Sequence, residues 1–123
     1  MAGNVFKSVR SVAVPVTDQD RTKSLLEQLG FTVSMDAELR PGFRWLELEL
    51  PDGEASIALV GTGPALPTGI DTGIRLASDD ARAARAAVTA AGLDAGELLD
   101  WPGVPLMFSF VDPDGNRFYV SET

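Results

Sequence analysis

Few residues in this chain can do chemistry, and their types narrow what that chemistry is. The 123 residues include no histidine and no cysteine. Histidine is the commonest acid–base side chain and a main ligand of transition metals; the cysteine thiolate is the readiest nucleophile. Ser11 and Ser109 therefore have no imidazole to activate them, and no catalytic residue of the nucleophilic kind is expected. A metal site would need all-oxygen ligands, which suit Mg, Ca or Mn. What remains is two carboxylates, Glu47 and Glu49, the phenol of Tyr119, the cations Arg75 and Arg117, and the aromatic or soft side chains Phe43, Trp45, Trp101 and Met107. Asp112, Asp114 and Asn116 also cluster, but within Asp-Pro-Asp-Gly-Asn, where reverse-turn chemistry accounts for each of them.

These residues fall on strand-like runs. Phe43 to Leu50 alternates strictly, with Leu46, Leu48 and Leu50 on one face and Phe43, Trp45, Glu47 and Glu49 on the other. Pro51-Asp52-Gly53 turns the chain, and Ile57 and Leu59 continue the leucine side. Upstream, Val12, Val14 and Val16 share a face, and Pro15 suits an edge strand. Asp18 caps a predicted helix over Gln19 to Leu29, and Gly30 stops it. Phe31 to Met35 reads as a short strand, and Asp36 to Gly42 as a polar loop. Gly61 to Gly69 reads as a linker. The order then restarts: Ile74 and Leu76 on a strand, Asp80 before an alanine-rich helix over Ala81 to Ala91, Gly92 as its stop, a weak strand and loop to Trp101. A hairpin of Met107–Val111 and Phe118–Val120 closes around the Asp-Pro-Asp-Gly-Asn turn.

The restart has a fixed offset. Pro51-Asp52-Gly53 and Pro113-Asp114-Gly115 lie 62 residues apart, and the same step carries Val12 to Ile74, Val14 to Leu76, Asp18 to Asp80, Gly30 to Gly92, Phe31 to Leu93 and Leu48 to Phe110. The expected fold is α+β: one domain over 1–123, built from two tandem βαβββ modules (8–60 and 70–122) joined by linker 61–69, forming a curved sheet around a cavity. Each helix covers one sheet face. The other faces carry Ser11, Phe43, Trp45, Glu47, Glu49, Arg75, Met107, Ser109, Arg117 and Tyr119, with small residues between them. Aromatic walls, a few polar groups and open space are the make-up of a small-molecule cavity. There Glu47 and Glu49 meet a cationic ligand, pair with Arg75 and Arg117 across the sheet, or face water. Trp101 lies in a loop able to cover the rim.

Ten basic against eighteen acidic residues give a net charge of −8. That opposes nucleic-acid binding, which needs clustered cations. The apolar runs are too short to span a bilayer, and Met1 to Arg10 lacks the apolar core of a secretory signal. With no cysteine framework, a cytoplasmic location is expected.

The tandem βαβββ order resembles the vicinal oxygen chelate superfamily, which includes glyoxalase I, extradiol dioxygenases and bleomycin-resistance proteins. So do Val14-Pro15-Val16-Thr17-Asp18, Leu29-Gly30-Phe31, Arg44-Trp45 and Asp112-Pro113-Asp114-Gly115-Asn116. The resemblance covers nearly the whole chain. Enzymes of that superfamily hold a divalent metal with four His or Glu side chains, and those positions fall here on Ser11, Ala58, Gly73 and Tyr119, none of them a good ligand. The resemblance thus implies the metal-free branch: no cofactor, no metal, a homodimer, and a protein that sequesters or carries a hydrophobic or aromatic small molecule able to bear positive charge. A lyase, isomerase or dioxygenase using Glu47, Glu49 or Tyr119 in acid–base steps is the alternative.

Overall fold

The computed structural model describes residues 3–123. Its elements run β1 (Ser11–Val16), α1 (Gln19–Gln28), β2 (Thr32–Arg40), β3 (Phe43–Glu49), β4 (Ser56–Gly61), β5 (Asp71–Ser78), α2 (Ala81–Ala90), β6 (Asp94–Ala95), β7 (Met107–Val111) and β8 (Arg117–Glu122). The order βαβββ occurs twice. The two helices are displaced by the same 62 residues that separate the turns. Each helix begins where an aspartate caps it: Asp18 accepts from the Arg21 backbone N–H and Asp80 from that of Ala83, satisfying N–H groups that the helix leaves without a carbonyl.

Two four-stranded mixed sheets result, in the orders β1-β4-β3-β2 and β5-β8-β7-β6. In each, the first strand runs parallel to the last, and the remaining pairs are antiparallel. Pro15 is tolerated because β1 is an edge strand. The polar stretch after Met35 is not a loop. β2 continues to Arg40 and pairs with β3, with register shifts between Val33 and Met35 and between Glu38 and Arg40. Gly42 takes φ +79° in the tight turn that follows. This edge strand is exposed on most positions, so alternation could not mark it. The second half has only the two-residue β6 in the corresponding place, and Trp101 sits in the loop beyond it.

The helix-side surfaces of the two halves merge into one apolar interior. Val14, Val16, Leu26, Leu46, Leu48 and Leu59 come from the first half; Val88, Phe108, Phe110, Phe118 and Val120 come from the second. Phe110 and Phe118 stack with ring centroids 5.2 Å apart. The closing turn is a second junction. Asn116 is fully buried. Its side chain donates to the Pro15 carbonyl (2.7 Å) and to Asp112 Oδ2 (2.9 Å), and accepts from the backbone N–H groups of Gly69 and Ile70. Asp114 accepts from the backbone N–H and hydroxyl of Thr17. The turn residues therefore hold the start of β8 to the end of β1.

Candidate functional site

The sheet faces that look away from the helices carry the polar and aromatic side chains. On the first sheet, register places Ser11 beside Ser56, Ala13 beside Ala58, and Glu47 beside both Ala58 and Met35. Small residues on β1 and β4 thus leave space next to β3. Phe43 and Trp45 are half-buried, with ring centroids 6.3 Å apart and tilted by 55°. The Arg40 guanidinium lies 4.8 Å from the Phe43 ring centroid.

Glu47 is the buried charge of this face, 5% exposed. Ser56 Oγ donates to its Oε1 at 2.5 Å, and the Trp45 indole N–H donates to its Oε2 at 2.6 Å. Arg10 Nη2 lies 3.7 Å from Oε2. Bonds to the charged form, from Ser56 first and Trp45 second, outweigh desolvation and hold the Glu47 carboxyl below its ordinary range. That is the wrong direction for a general acid or base at neutral pH, which needs a carboxyl pushed upward. Glu49 is exposed. The Arg75 and Arg117 pairing open to Glu47 does not form, because those arginines belong to the other sheet.

The second face carries both signs of charge, Arg75 and Arg117 with Asp71 and Glu97. The Arg75 guanidinium lies 4.0 Å from the Tyr119 ring centroid. Tyr119 donates its hydroxyl to Asp71 Oδ2 at 2.5 Å, and Arg117 donates to Ser109 Oγ at 2.9 Å. The Asp71 carboxylate raises the Tyr119 phenol and is itself lowered by the same bond. Met107, Ser109, Tyr119 and Arg75 border a pocket of about 590 Å³, together with Glu97 and Leu99. Trp101 is 57% exposed and does not line that pocket.

The sequence-derived residues thus form two groups on two sheets. Glu47 and Glu49 border a pocket of about 360 Å³, separate from the one that Tyr119 borders. The groups approach each other at a crevice of about 470 Å³ to which Ser56 and Arg75 both contribute. Sequence reasoning missed three partners. Ser56 was legible by alternation as facing the Trp45 side, but its bond to Glu47 was not. Arg10 and Asp71 lie before their strands' regular parts and carry no periodic signal.

At the four positions that the resemblance assigns to metal ligands, Ser11 is a half-buried hydroxyl, Ala58 and Gly73 have no side-chain donor, and the Tyr119 phenol is engaged with Asp71. Among the described residues, no three His, Cys, Asp or Glu side chains gather to hold an ion.

The buried carboxylate has a measurable consequence. Because Glu47 has a lowered pKa in the fold, the stability it contributes is present above the ordinary glutamate range, about 4.3, and is lost as pH falls through the folded value. The urea midpoint is expected to fall below about pH 4.3, and Glu47→Gln is expected to flatten that fall. Parallel curves for the two proteins would show that the carboxylate is not held as described.

A family model described as Glyoxalase/Bleomycin resistance protein/Dioxygenase superfamily matches residues 8–120. Solved structures agree along the whole chain. TnmS3, an antibiotic binding protein from Streptomyces sp. CB03234, is 28% identical, with a TM-score of 0.84 and 98% of each chain covered. A glyoxalase/bleomycin resistance protein from the same organism is 30% identical, with a TM-score of 0.77, covering 93% of this chain and 99% of that one. A superfamily member from Sphaerobacter thermophilus DSM 20745 is 27% identical, with a TM-score of 0.86, covering 96% and 98%. No curated protein matches the chain. No helix among the described residues is long and apolar enough to cross a membrane.

Proposed function

This chain belongs to the Glyoxalase/Bleomycin resistance protein/Dioxygenase superfamily, and we propose that within it the protein binds a small organic molecule without metal, as a sequestration, drug-resistance or carrier protein. The observation that carries this reading is the pair of open sheet faces, Phe43 and Trp45 with Glu47 on one and Tyr119 with Arg75 on the other, together with the poor ligands at the positions that the resemblance assigns to a metal. The printed name of TnmS3 as an antibiotic binding protein supports the class of ligand. The ligand is hydrophobic or aromatic and able to carry positive charge, and the protein works in the cytoplasm.

A second copy of the chain completes the site in this reading. The Glu47 face carries more carboxylates than cations and the Tyr119 face offers Arg75 and Arg117, so these groups can pair between one protomer and its partner. Exposed apolar side chains, Val5, Phe6, Val9, Met35 and Val104, are available for the contact. Sedimentation equilibrium at micromolar concentration is expected to return twice the 13.0 kDa chain mass; a monomer would remove the shared cavity.

Titration of chelator-treated protein with a planar aromatic antibiotic of the anthracycline type, followed by calorimetry, tests the reading. Saturable binding unaffected by the chelator is expected; binding restored only by a divalent ion would overturn it. Trp45→Ala separates ligand wall from core. Trp45 is half-buried, so the variant is expected to lose about 2 kcal/mol, less than the roughly 3–5 kcal/mol of a core tryptophan, while affinity falls at least tenfold. The reverse, large destabilisation with intact affinity, would make Trp45 a structural plug.

A further inference from the structure

The first sheet's pocket carries three glutamates, Glu47, Glu49 and Glu54, and one cation, Arg10. Glu47 is the buried one, and its two neutral partners leave a full negative charge in place. Taking a carboxylate out of water is costly unless a cation faces it. The cation that does so is held in an unusual way. Arg10 belongs to no strand or helix, its side chain is 81% exposed, and its guanidinium stands 3.7 Å from Oε2 without a hydrogen bond to it. Its backbone, by contrast, is fixed: the Arg10 carbonyl accepts from the Ser56 backbone N–H at 3.0 Å. The side chain can leave without moving the chain.

We infer that Arg10 is the resident occupant of a cation subsite, and that a ligand bearing a protonated amine or amidine displaces it and pairs with Glu47 beside the Trp45 indole. This rests on the small-molecule-binding reading above and adds to it the group recognised on this face. Glu47 has a second task here. Its Oε2 accepts from the Trp45 indole N–H at 2.6 Å, so the anion holds the edge of that ring beside the place where a flat cation would pair. Each oxygen already accepts one hydrogen bond and keeps a lone pair for a second. An amidinium can therefore enter without breaking the bonds to Ser56 or Trp45. A guanidinium at the rim, mostly in water, gives up little on leaving.

The full chain, isotopically labelled with ¹⁵N, is titrated with benzamidine and with its neutral relative benzamide, following the Trp45 indole N–H. The chain has two tryptophans, and Trp101→Phe assigns the signals. Benzamidine is expected to shift the Trp45 resonance and to bind at least fivefold more tightly than benzamide. Arg10→Ala is expected to tighten benzamidine at least threefold and leave benzamide within twofold. Glu47→Gln, which can still accept from Trp45, is expected to abolish the preference. Equal affinity for the two compounds, or weaker benzamidine binding in Arg10→Ala, overturns the cation subsite while leaving small-molecule binding on this face in place. If neither compound moves the resonance, the subsite is overturned outright, and the anthracycline titration decides the broader reading by itself.

Discussion

Replacing Asn116 with alanine is expected to cost about 3–5 kcal/mol, enough to unfold much of a population whose total stability is of order 5–15 kcal/mol. Nothing about asparagine as a residue type demands this; its position does. Asn116 is fully buried, and its amide closes four bonds at once. Alanine would leave the buried Pro15 carbonyl and one buried Asp112 oxygen without that partner, and also the part-buried N–H groups of Gly69 and Ile70. Each such orphan costs about 1–3 kcal/mol when buried, and a shared network magnifies the loss. The damage is also long-range. Asn116 bonds across 101 residues to β1 and across 47 to the segment before β5. Urea unfolding followed by tryptophan fluorescence measures the cost. Gly115→Ala is a useful companion, because Gly115 has φ +81° and sits against Gly69. It strains the same turn without removing a polar partner, and a smaller loss is expected.

Phe110→Ala is expected to cost about 3–5 kcal/mol by a different route, lost apolar contact plus a cavity. Phe110 is 1% exposed and stacked on Phe118, within an interior to which both halves contribute. It also borders a solvent-open cleft of about 160 Å³ shared with Leu29, Phe31, Leu50 and Val88. Calorimetric unfolding is the check. The outcome to expect is one cooperative transition at lower temperature, since the halves share this core. Two separate transitions would contradict a common interior. The double variant Phe110→Ala with Asn116→Ala is then expected to be less than additive if both act on the same junction.

Most of the fold was legible because its signals are local and repeated. Asp18 and Asp80 cap helices displaced by the same step as the two Pro-Asp-Gly turns. Strict alternation from Phe43 to Leu50 placed Trp45 and Glu47 on the face away from the helix, and Glu47 pairs in register with Ala58 as that face requires. The β2 extension was not legible. Asp36, Glu38 and Arg40 lie on an edge strand exposed to water, so burial imposes no period, and their partners on β3 lie across a turn. One of them earns its place electrostatically: Arg44 holds Asp36 and Asp20 together, tying β2 to the first turn of α1, and lowers the Asp36 carboxyl. The site was legible as a list and not as an arrangement. Alternation says which face a residue takes but not which sheet edges meet, so the division of the list into a Glu47 group and a Tyr119 group had no signature. The Arg10–Glu47 pair had none either, because Arg10 precedes the regular part of β1.

The most direct test of metal-independent binding is native mass spectrometry of the protein purified from its own host, with elemental analysis of the same sample. The expected result is a dimer carrying an organic adduct at up to one molecule per shared cavity, with no divalent metal in stoichiometric amount. A stoichiometric divalent metal retained through purification would contradict it, and would mean that oxygen donors other than Ser11 and Tyr119 assemble a centre.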